Sequence, residues 1–228
     1  MTIAFRHDEL FETNPQISPY TLEVPDVGDV LIIDNFYRFP WEIQTMLEDS
    51  WSQLWKTSPT SRNGIDYTDC RLMFEGFDTG ELNQFEPQQL IADMSKLHLG
   101  IELKDNPAPY AFNNYSNIKI PDESMQMYPH QDGNNMLAAV IYLDAIENGG
   151  TAFYKQAQMQ DVGYTEVENV LVDVDKYYDM AGVVPAKFNR CVIYPSMYMH
   201  GGYIEDHKAY SKNEWRRTQV YFLPIKSM

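Results

Sequence analysis

The chain has 228 residues, of which 44% are hydrophobic and 14% aromatic, so it can bury a substantial core. Its 33 acidic and 17 basic residues give a net charge of −16, which argues against nucleic acids and anionic membranes as partners, because phosphate surfaces attract basic patches. Long apolar runs and a signal-peptide pattern are absent, and two cysteines make no disulfide framework, so we expect a cytoplasmic protein without a membrane span.

The N-terminal region, residues 1–108, has the pattern of a support layer. The apolar run Val30–Phe36 predicts a strand. Residues Pro40–Trp51 and Glu86–Leu97 carry apolar side chains at helical spacing, and each has a proline in its first turn. We expect both helices to pack with their apolar stripes on the outside of a β-sheet. Between them, Ser58–Gly64 and Gly76–Gly80 have the composition of turn-rich loops.

The sequence Tyr-Pro-His-Gln-Asp-Gly at residues 128–133 contains a candidate metal-binding pair. His130 and Asp132 are two residues apart, so on an extended strand both side chains point to the same face. A second histidine, His200, follows Asp132 by 68 residues. Two imidazoles and one carboxylate can form a facial triad that holds Fe(II) and leaves positions open for ligands. A His-x-Asp triplet alone is more often a hydrogen-bonded surface pair, so its surroundings must decide.

Several strand-like segments surround this pair. An apolar run at Met136–Asp144 is followed by the turn signal Glu147–Gly150 and by the short segment Thr151–Tyr154. The apolar segment Cys191–Pro195 precedes His200, and Trp215–Phe222 is a strand-like segment with two arginines.

This ordered set of motifs resembles the Fe(II)/2-oxoglutarate-dependent dioxygenases, and most of all their prolyl 4-hydroxylase-like branch. The resemblance extends from Pro109 to Pro224, about half of the chain. It implies a mainly β fold with supporting α-helices, a double-stranded β-helix or jelly-roll barrel, buttressed by the N-terminal helices. The predicted catalytic core is residues 109–228, which form one structural unit with residues 1–108.

The resemblance also implies the ligands and the reaction. Family members bind Fe(II), 2-oxoglutarate and dioxygen, and they couple decarboxylation of 2-oxoglutarate to oxidation of a C–H bond. By carry-over, the metal ligands are His130, Asp132 and His200. We expect a hydroxylase of a peptidyl or small amino-acid-like substrate, although a fold does not determine a substrate.

The far carboxylate of 2-oxoglutarate needs a cation, and a guanidinium pairs with it through two parallel hydrogen bonds. On a strand, Arg216 and Thr218 share one face while Arg217 and Gln219 share the other. The family often places a hydroxyl two residues after its arginine, which favours Arg216 with Thr218 and leaves Arg217 as the alternative. Tyr142 holds the position of a tyrosine that the family uses beside this carboxylate.

Tyr115 is a second candidate for the same carboxylate, from an earlier strand. One departure from the family is the longer distance in sequence from His200 to Arg216, and the extra residues fall in the polar segment Tyr203–Glu214, which we expect to be a loop. In this fold, the loops near residues 58–80 often border the mouth of the active site. Three residues there are therefore substrate-side candidates: Arg62, Tyr67 and Arg71.

Residues 155–189 form a long connection that we predict to be an insertion. It is either a lid that selects substrate or an extra packing element, and the sequence favours neither. Within it, Glu166–Tyr178 has the composition of a short strand or helix.

Two other classes of function compete with an oxygenase. The chain could be a non-catalytic jelly-roll module with a vestigial metal site, although no ligand or arginine of the pattern is missing. It could also be a zinc hydrolase, but the helical His-Glu-x-x-His motif is absent and such a site needs no downstream arginine.

Overall fold

Antiparallel β-strands make up most of the fold. The computed structural model describes residues 9–49, 56–62, 65–73, 85–105, 110–116, 125–127, 129–133, 135–155, 171–210 and 216–227. In chain order the strands are β1 (Ser18–Val24), β2 (Gly28–Asp34), β3 (Lys56–Arg62), β4 (Ile65–Met73), β5 (Glu102–Leu103), β6 (Tyr110–Ser116), β7 (Met125–Met127), β8 (Met136–Tyr142), β9 (Gly150–Tyr154), β10 (Leu171–Asp173), β11 (Met180–Pro185), β12 (Cys191–Pro195), β13 (His200–Tyr203) and β14 (Arg216–Ser227).

Two sheets organise these strands. Nine strands of the described ranges form a major antiparallel sheet in the order β1-β2-β12-β8-β14-β6-β4-β3, with β5 beside β14. A minor sheet of three described strands has the order β11-β9-β13, and β7 pairs with β10 separately. The N-terminal strands β1 and β2 join the major sheet through β12, so they lie in the same sheet as β8 and β14.

Strand β8 shows why a strand can be apolar along its whole length. Leu137, Ala139 and Ile141 belong to an outer core on the helix side of the major sheet. The alternate residues, Val140 and Tyr142 among them, belong to an inner core that also contains Phe153 and Val184 of the minor sheet. Because successive side chains point to opposite faces, a strand covered on both faces needs apolar residues at every position. The apolar run predicted from the sequence is therefore a central strand.

The helices cover the outer face of the major sheet. They are α1 (Pro40–Asp49) and α2 (Phe85–Leu99); the single turn α3 (Val174–Tyr177) instead packs with the minor sheet, where Val174 is buried with Ala152 and Tyr154. Ile43 and Leu47 of α1 and Ile91 of α2 are buried in the outer core with residues of β2, β8 and β12. The two predicted helices and their packing on the outside of a sheet are thereby confirmed. Neither combines the length and apolarity needed to cross a membrane, a test applied to the described residues alone.

The segment predicted as an insertion contributes to the minor sheet. Within residues 155–189, β11 pairs with β9 and forms an edge of that sheet. β10 and α3 fall inside the predicted Glu166–Tyr178 element, and β10 pairs with β7. Residues 156–170 lie outside the described part of the chain. The role of the whole segment as a lid, and the division of the chain at residue 108, stay predictions.

The described part of the connection from β13 to β14 packs against the turn that precedes β9. A 3-10 helix spans His207–Tyr210, and the side chains of Ile204 and Tyr210 are each only 1% exposed. They form a small separate cluster with Ile146. The polar segment expected to be a plain loop therefore carries its own apolar contacts, and residues 211–215 lie outside the described part.

Candidate metal centre

The structure brings His130, Asp132 and His200 together at one end of the space between the two sheets. His200 begins β13, and His130 exchanges two backbone hydrogen bonds with it: N of His130 donates to O of His200 at 2.8 Å, and N of His200 donates to O of His130 at 3.0 Å. The N–H of Asp132 donates to the carbonyl of Ser196 at 3.0 Å. Residues distant in sequence thus become neighbours through strand pairing.

The three side chains have the spacing of a metal site. Their ligand atoms all lie within 4.8 Å of one another. Oδ1 of Asp132 is 3.3 Å from Nε2 of His130, and Oδ2 is 3.1 Å from Nε2 of His200. Two atoms bound at about 2.1 Å and at right angles around one ion are about 3.0 Å apart, so both distances suit neighbouring positions of an octahedron.

Contacts around His200 hold its imidazole in one orientation. Nδ1 lies 2.8 Å from the carbonyl oxygen of Tyr198, which can only accept a hydrogen bond, so Nδ1 carries the proton and Nε2 is available as a ligand. The ring of Tyr194 meets the imidazole edge-on with centroids 4.7 Å apart. Tyr194 in turn packs edge-on against Phe153, at 5.0 Å. The aromatic rings of the inner core thus support the imidazole of His200.

Asp132 is held in its anionic form. Burial raises the pKa of its carboxyl group, but the hydrogen bonds and charges of His130 and His200 outweigh that effect and place the pKa well below its usual range. The phenol of Tyr194 shows the opposite behaviour: burial raises its pKa well above the ordinary value, and the charge of Asp132 adds to the rise. Tyr194 therefore remains a neutral hydroxyl beside a charged centre.

A second polar group lies at the start of β14, in the same inner core. The side chain of Arg216 is buried, and its Nη2 donates to the carbonyl of Gly150 at 3.1 Å. Its guanidinium carbon is 5.5 Å from the centroid of the Tyr142 ring. Among the described residues, no group accepts a hydrogen bond from its Nε. A buried cation with an unused donor is suited to bind an anionic ligand.

Strand register separates the two candidate arginines. Thr218 is the partner of Tyr142 across β14 and β8, and Tyr142 belongs to the inner core. Arg216 shares the parity of Thr218, whereas Arg217 shares that of Gln219 and Tyr221. The side chains of Gln219 and Tyr221 form hydrogen bonds with Tyr37 in the outer core. Burial raises the pKa of the Asp144 carboxyl, and the charge of Arg217 opposes that rise more strongly than the charge of Arg216 does. The register favours Arg216 as the anion-binding residue.

The other candidates at this end have defined positions. The hydroxyl of Tyr142 shares a 2.6 Å hydrogen bond with Oγ1 of Thr151. Burial raises the pKa of Tyr142, against the charge of Arg216 and this hydrogen bond, so the phenol stays neutral. Thr218 is 4% exposed. Tyr115 is the register partner of Arg216 on β6, and its side chain lies outside the described part of the structure.

The segment Ser58–Gly64 was expected to be a loop, but residues 58–62 belong to β3, so the three substrate-side candidates lie on the β3–β4 hairpin. Arg62 pairs with Ile65, and Tyr67 pairs with Thr60. Arg71 pairs with Asn113, which pairs with Thr218, so Arg71 stands in the same cross-strand row as Thr218 and Tyr142. The side chains of Arg62, Tyr67 and Arg71 lie outside the described residues, so their part in a site stays a prediction.

Some residues of this region were not found from the sequence. Thr151 and the carbonyl of Gly150 contact Tyr142 and Arg216, yet Gly-Gly-Thr was recognised only as a turn and strand signal. Tyr194 was recognised only as part of a strand. The Gly-Gly pair could have indicated a close backbone approach, because glycine permits contacts that a Cβ would prevent.

The donor set fits a first-row divalent metal ion, and Arg216 fits a carboxylate. Two imidazole nitrogens and one carboxylate oxygen with further positions open match non-haem Fe(II). The Nε of Arg216 has no acceptor among the described residues, and a carboxylate bound in the inner core would satisfy it.

Solved structures share this fold. The non-haem alpha-ketoglutarate-dependent epimerase SnoN from nogalamycin biosynthesis aligns over 86% of this chain and 76% of its own, with 14% identity and a TM-score of 0.50. HygX from Streptomyces hygroscopicus, solved with nickel and 2-oxoglutarate bound, aligns over 86% of this chain and 82% of its own, with 10% identity and a TM-score of 0.50. Such low identities establish the fold alone, and they confirm the predicted jelly-roll, double-stranded β-helix.

Other comparisons are narrower. A prolyl hydroxylase from Trichoplax adhaerens aligns over 86% of this chain and 83% of its own, with 14% identity and a TM-score of 0.42, which is too low to favour the prolyl hydroxylase branch. A family of unknown function (DUF6445) matches residues 166–216, less than a quarter of the chain. No curated protein matches the sequence. The comparisons thus establish the fold alone and fix neither a family branch nor a substrate.

Proposed function

We propose that the protein is an Fe(II)- and 2-oxoglutarate-dependent dioxygenase. The observation that carries this proposal is the arrangement of His130, Asp132 and His200, whose ligand atoms lie within 4.8 Å of one another at the end of the barrel. A metal site of this composition, in a fold shared with alpha-ketoglutarate-dependent enzymes, favours an oxygenase over a binding module.

The three metal ligands would provide a fixed set of donor atoms for the ion. With the ion bound, His130 and His200 would supply neutral nitrogens, and the hydrogen bond from Nδ1 of His200 to the carbonyl of Tyr198 keeps its Nε2 directed at the metal position. Asp132 supplies a negative charge that offsets part of the charge of the ion. When bound, Fe(II) with 2-oxoglutarate and dioxygen supplies the oxidation, in which 2-oxoglutarate loses carbon dioxide and becomes succinate while the substrate is oxidised.

Arg216 is proposed to bind the far carboxylate of 2-oxoglutarate. The guanidinium is already oriented by the Gly150 carbonyl and the Tyr142 ring, so little side-chain entropy is lost when the ligand binds. Thr218 and Tyr142 are proposed to donate hydroxyl hydrogen bonds to the same carboxylate, with Tyr115 as a further candidate. Arg217 is the alternative to Arg216, disfavoured by its parity on β14.

Hydroxylation of a peptidyl or small amino-acid-like substrate is the proposed reaction. The net charge of −16 supports a neutral or cationic substrate and argues against nucleic acid or an anionic membrane as a partner. Arg62, Tyr67 and Arg71 on the β3–β4 hairpin are the proposed substrate-side residues. A cytoplasmic location is also proposed, since a reducing compartment keeps iron in the ferrous state.

Anaerobic titration tests this proposal. Fe(II) is added to the metal-free protein, followed by 2-oxoglutarate, and the visible metal-to-ligand charge-transfer band is recorded. The band should form with the intact protein and disappear with His130→Ala, while circular dichroism verifies that both proteins are folded. Absence of the band from the folded intact protein would refute the oxygenase function and favour a non-catalytic jelly-roll module. A zinc hydrolase would instead retain Zn(II) and show no response to 2-oxoglutarate.

A further inference from the structure

A buried asparagine connects the turn before β9 to the segment that follows β13. Asn148 is 7% exposed, and its side chain makes three hydrogen bonds to backbone atoms. Its Nδ2 donates to the carbonyl of Asp206 at 2.6 Å. Its Oδ1 accepts from the N–H of Glu205 at 3.1 Å and from the N–H of Asp206 at 2.9 Å. A primary amide is needed for this pattern, because the group must donate and accept at the same time.

The next two residues lie directly against neighbouring backbone. Gly149 has φ of +74°, and a Cβ there would lie 2.0 Å from the carbonyl oxygen of Tyr203. Its own carbonyl accepts from the N–H of Ala186 at 2.8 Å. A Cβ on Gly150 would lie 2.0 Å from the carbonyl oxygen of Val184. The turn is therefore held between the ends of β13 and β11, and it can be so close only because both residues are glycine.

This turn carries the groups that orient the anion-binding side chains. The carbonyl of Gly150 accepts from Nη2 of Arg216, and Thr151, one residue later, shares a hydrogen bond with the hydroxyl of Tyr142. A shift of the turn would move both contacts together. Asn148 touches neither Arg216 nor Tyr142 in any of these hydrogen bonds, so its effect on them is transmitted through the turn.

We infer that Asn148 is a positioning residue for the far carboxylate of 2-oxoglutarate, which rests on the proposed function. By tying the turn to the backbone of Glu205 and Asp206, the amide fixes the Gly150 carbonyl and thereby the direction of the Arg216 guanidinium. The expected consequence is selective. Binding of the far carboxylate depends on Asn148, whereas chelation of the metal ion by the 2-oxo acid group does not.

Two ligands separate these effects. 2-Oxoglutarate has both a 2-oxo acid group and a far carboxylate, while 2-oxobutyrate has only the 2-oxo acid group. Affinities of both are measured by calorimetry, without oxygen, on the Fe(II)-loaded full chain and on Asn148→Ala. Asn148→Asp is a second variant, which keeps an acceptor for the two backbone N–H groups but replaces the donor with an oxygen that faces the Asp206 carbonyl.

Asn189 provides a matched control. It is also a buried asparagine, 5% exposed, and its amide bridges the backbone N–H and carbonyl of Tyr37 at 2.8 Å each. Its φ of +62° adds strain to an alanine substitution, so Asn189→Ala should lose at least as much stability as Asn148→Ala. A general loss of packing would then affect binding in both variants.

The predicted outcome is a change of ligand preference. Asn148→Ala should bind 2-oxoglutarate about tenfold more weakly, with the affinity for 2-oxobutyrate changed by less than about twofold. Asn148→Asp should show a shift in the same direction, and Asn189→Ala none. Unchanged 2-oxoglutarate affinity in both Asn148 variants, or equal weakening of both ligands, would overturn the inference while leaving the oxygenase intact. If the unaltered protein bound neither ligand, the proposed function itself would fail, and the inference with it.

Discussion

Replacing each of the two adjacent arginines by glutamine should separate binding from stability. Arg216 lies in the inner core beside Tyr142, and its Nε has no acceptor among the described residues. Arg217 lies on the other face; burial raises the pKa of the Asp144 carboxyl, and the charge of Arg217 opposes that rise more strongly than the charge of Arg216 does. Arg216→Gln should therefore weaken 2-oxoglutarate binding, and Arg217→Gln should lower the free energy of unfolding.

The magnitudes follow from the burial of each group. A hydrogen bond to a charged group contributes about 1.5–3 kcal/mol, so loss of the guanidinium should raise the dissociation constant of 2-oxoglutarate about 10- to 150-fold. Removing the cation beside Asp144 leaves a buried carboxyl with less compensation, which should cost about 1–3 kcal/mol of folding stability. The affinity of the metal ion should be unaffected in both variants, because neither arginine is a ligand.

Calorimetry with 2-oxoglutarate on the Fe(II)-loaded proteins, together with urea denaturation, measures both effects. The parity argument would be refuted if Arg217→Gln lost 2-oxoglutarate binding while Arg216→Gln kept it. Equal losses in the two variants would also contradict it, since the two faces of β14 would then be indistinguishable to the ligand.

Three further predictions concern the scaffold and the metal. Gly149→Ala should lose about 3 kcal/mol or more of stability in urea denaturation, since its Cβ would strike the Tyr203 backbone. Gly100→Ala, with φ of +69° and no atom of the described residues within 4 Å of the added Cβ, should lose only about 1–2 kcal/mol. Equal losses would refute the steric argument. The pKa of Asp34 lies below its ordinary value, chiefly because of its hydrogen bond with Arg190, which outweighs the effect of burial. Ionised Asp34 therefore stabilises the fold fully above the pKa it has in the unfolded chain, and this stabilisation is lost as the pH falls through its lower pKa in the folded protein. The stability difference between the protein and Asp34→Asn should therefore shrink between about pH 5 and pH 2, and a constant difference would contradict this. Fe(II) at about 100 times its dissociation constant, without oxygen, should raise the free energy of unfolding by about 2.7 kcal/mol, and His200→Ala should abolish the gain.

Much of the fold was predictable because burial leaves a periodic signal in the sequence. The helices α1 and α2 show apolar residues at helical spacing, since one face of each is buried in the outer core. The continuous apolar run of β8 indicated a strand, and the structure shows that this strand is covered on both faces. The fold class was implied by the family resemblance that the order of these elements and the spaced histidines carry.

The cluster of His130, Asp132 and His200 was predictable for a local reason, and the supporting residues were not. His130 and Asp132 share a face because of their spacing, and His200 closes the motif after a strand. The role of Asn148 depends on the backbone of Glu205 and Asp206, more than fifty residues later in the chain, and no local pattern encodes that approach. The same holds for β11: its pairing with β9 makes it part of the minor sheet, although the sequence indicated only a long connection.

Crystallography with bound ligands tests the central claim most directly. The protein would be crystallised with Mn(II) in place of Fe(II) and with 2-oxoglutarate, and the metal located by its anomalous scattering. The account predicts one strong peak about 2.0–2.3 Å from Nε2 of His130, an oxygen of Asp132 and Nε2 of His200, with the far carboxylate of 2-oxoglutarate hydrogen-bonded to Arg216. A metal bound elsewhere, or a 2-oxoglutarate whose far carboxylate lies away from Arg216, would contradict it.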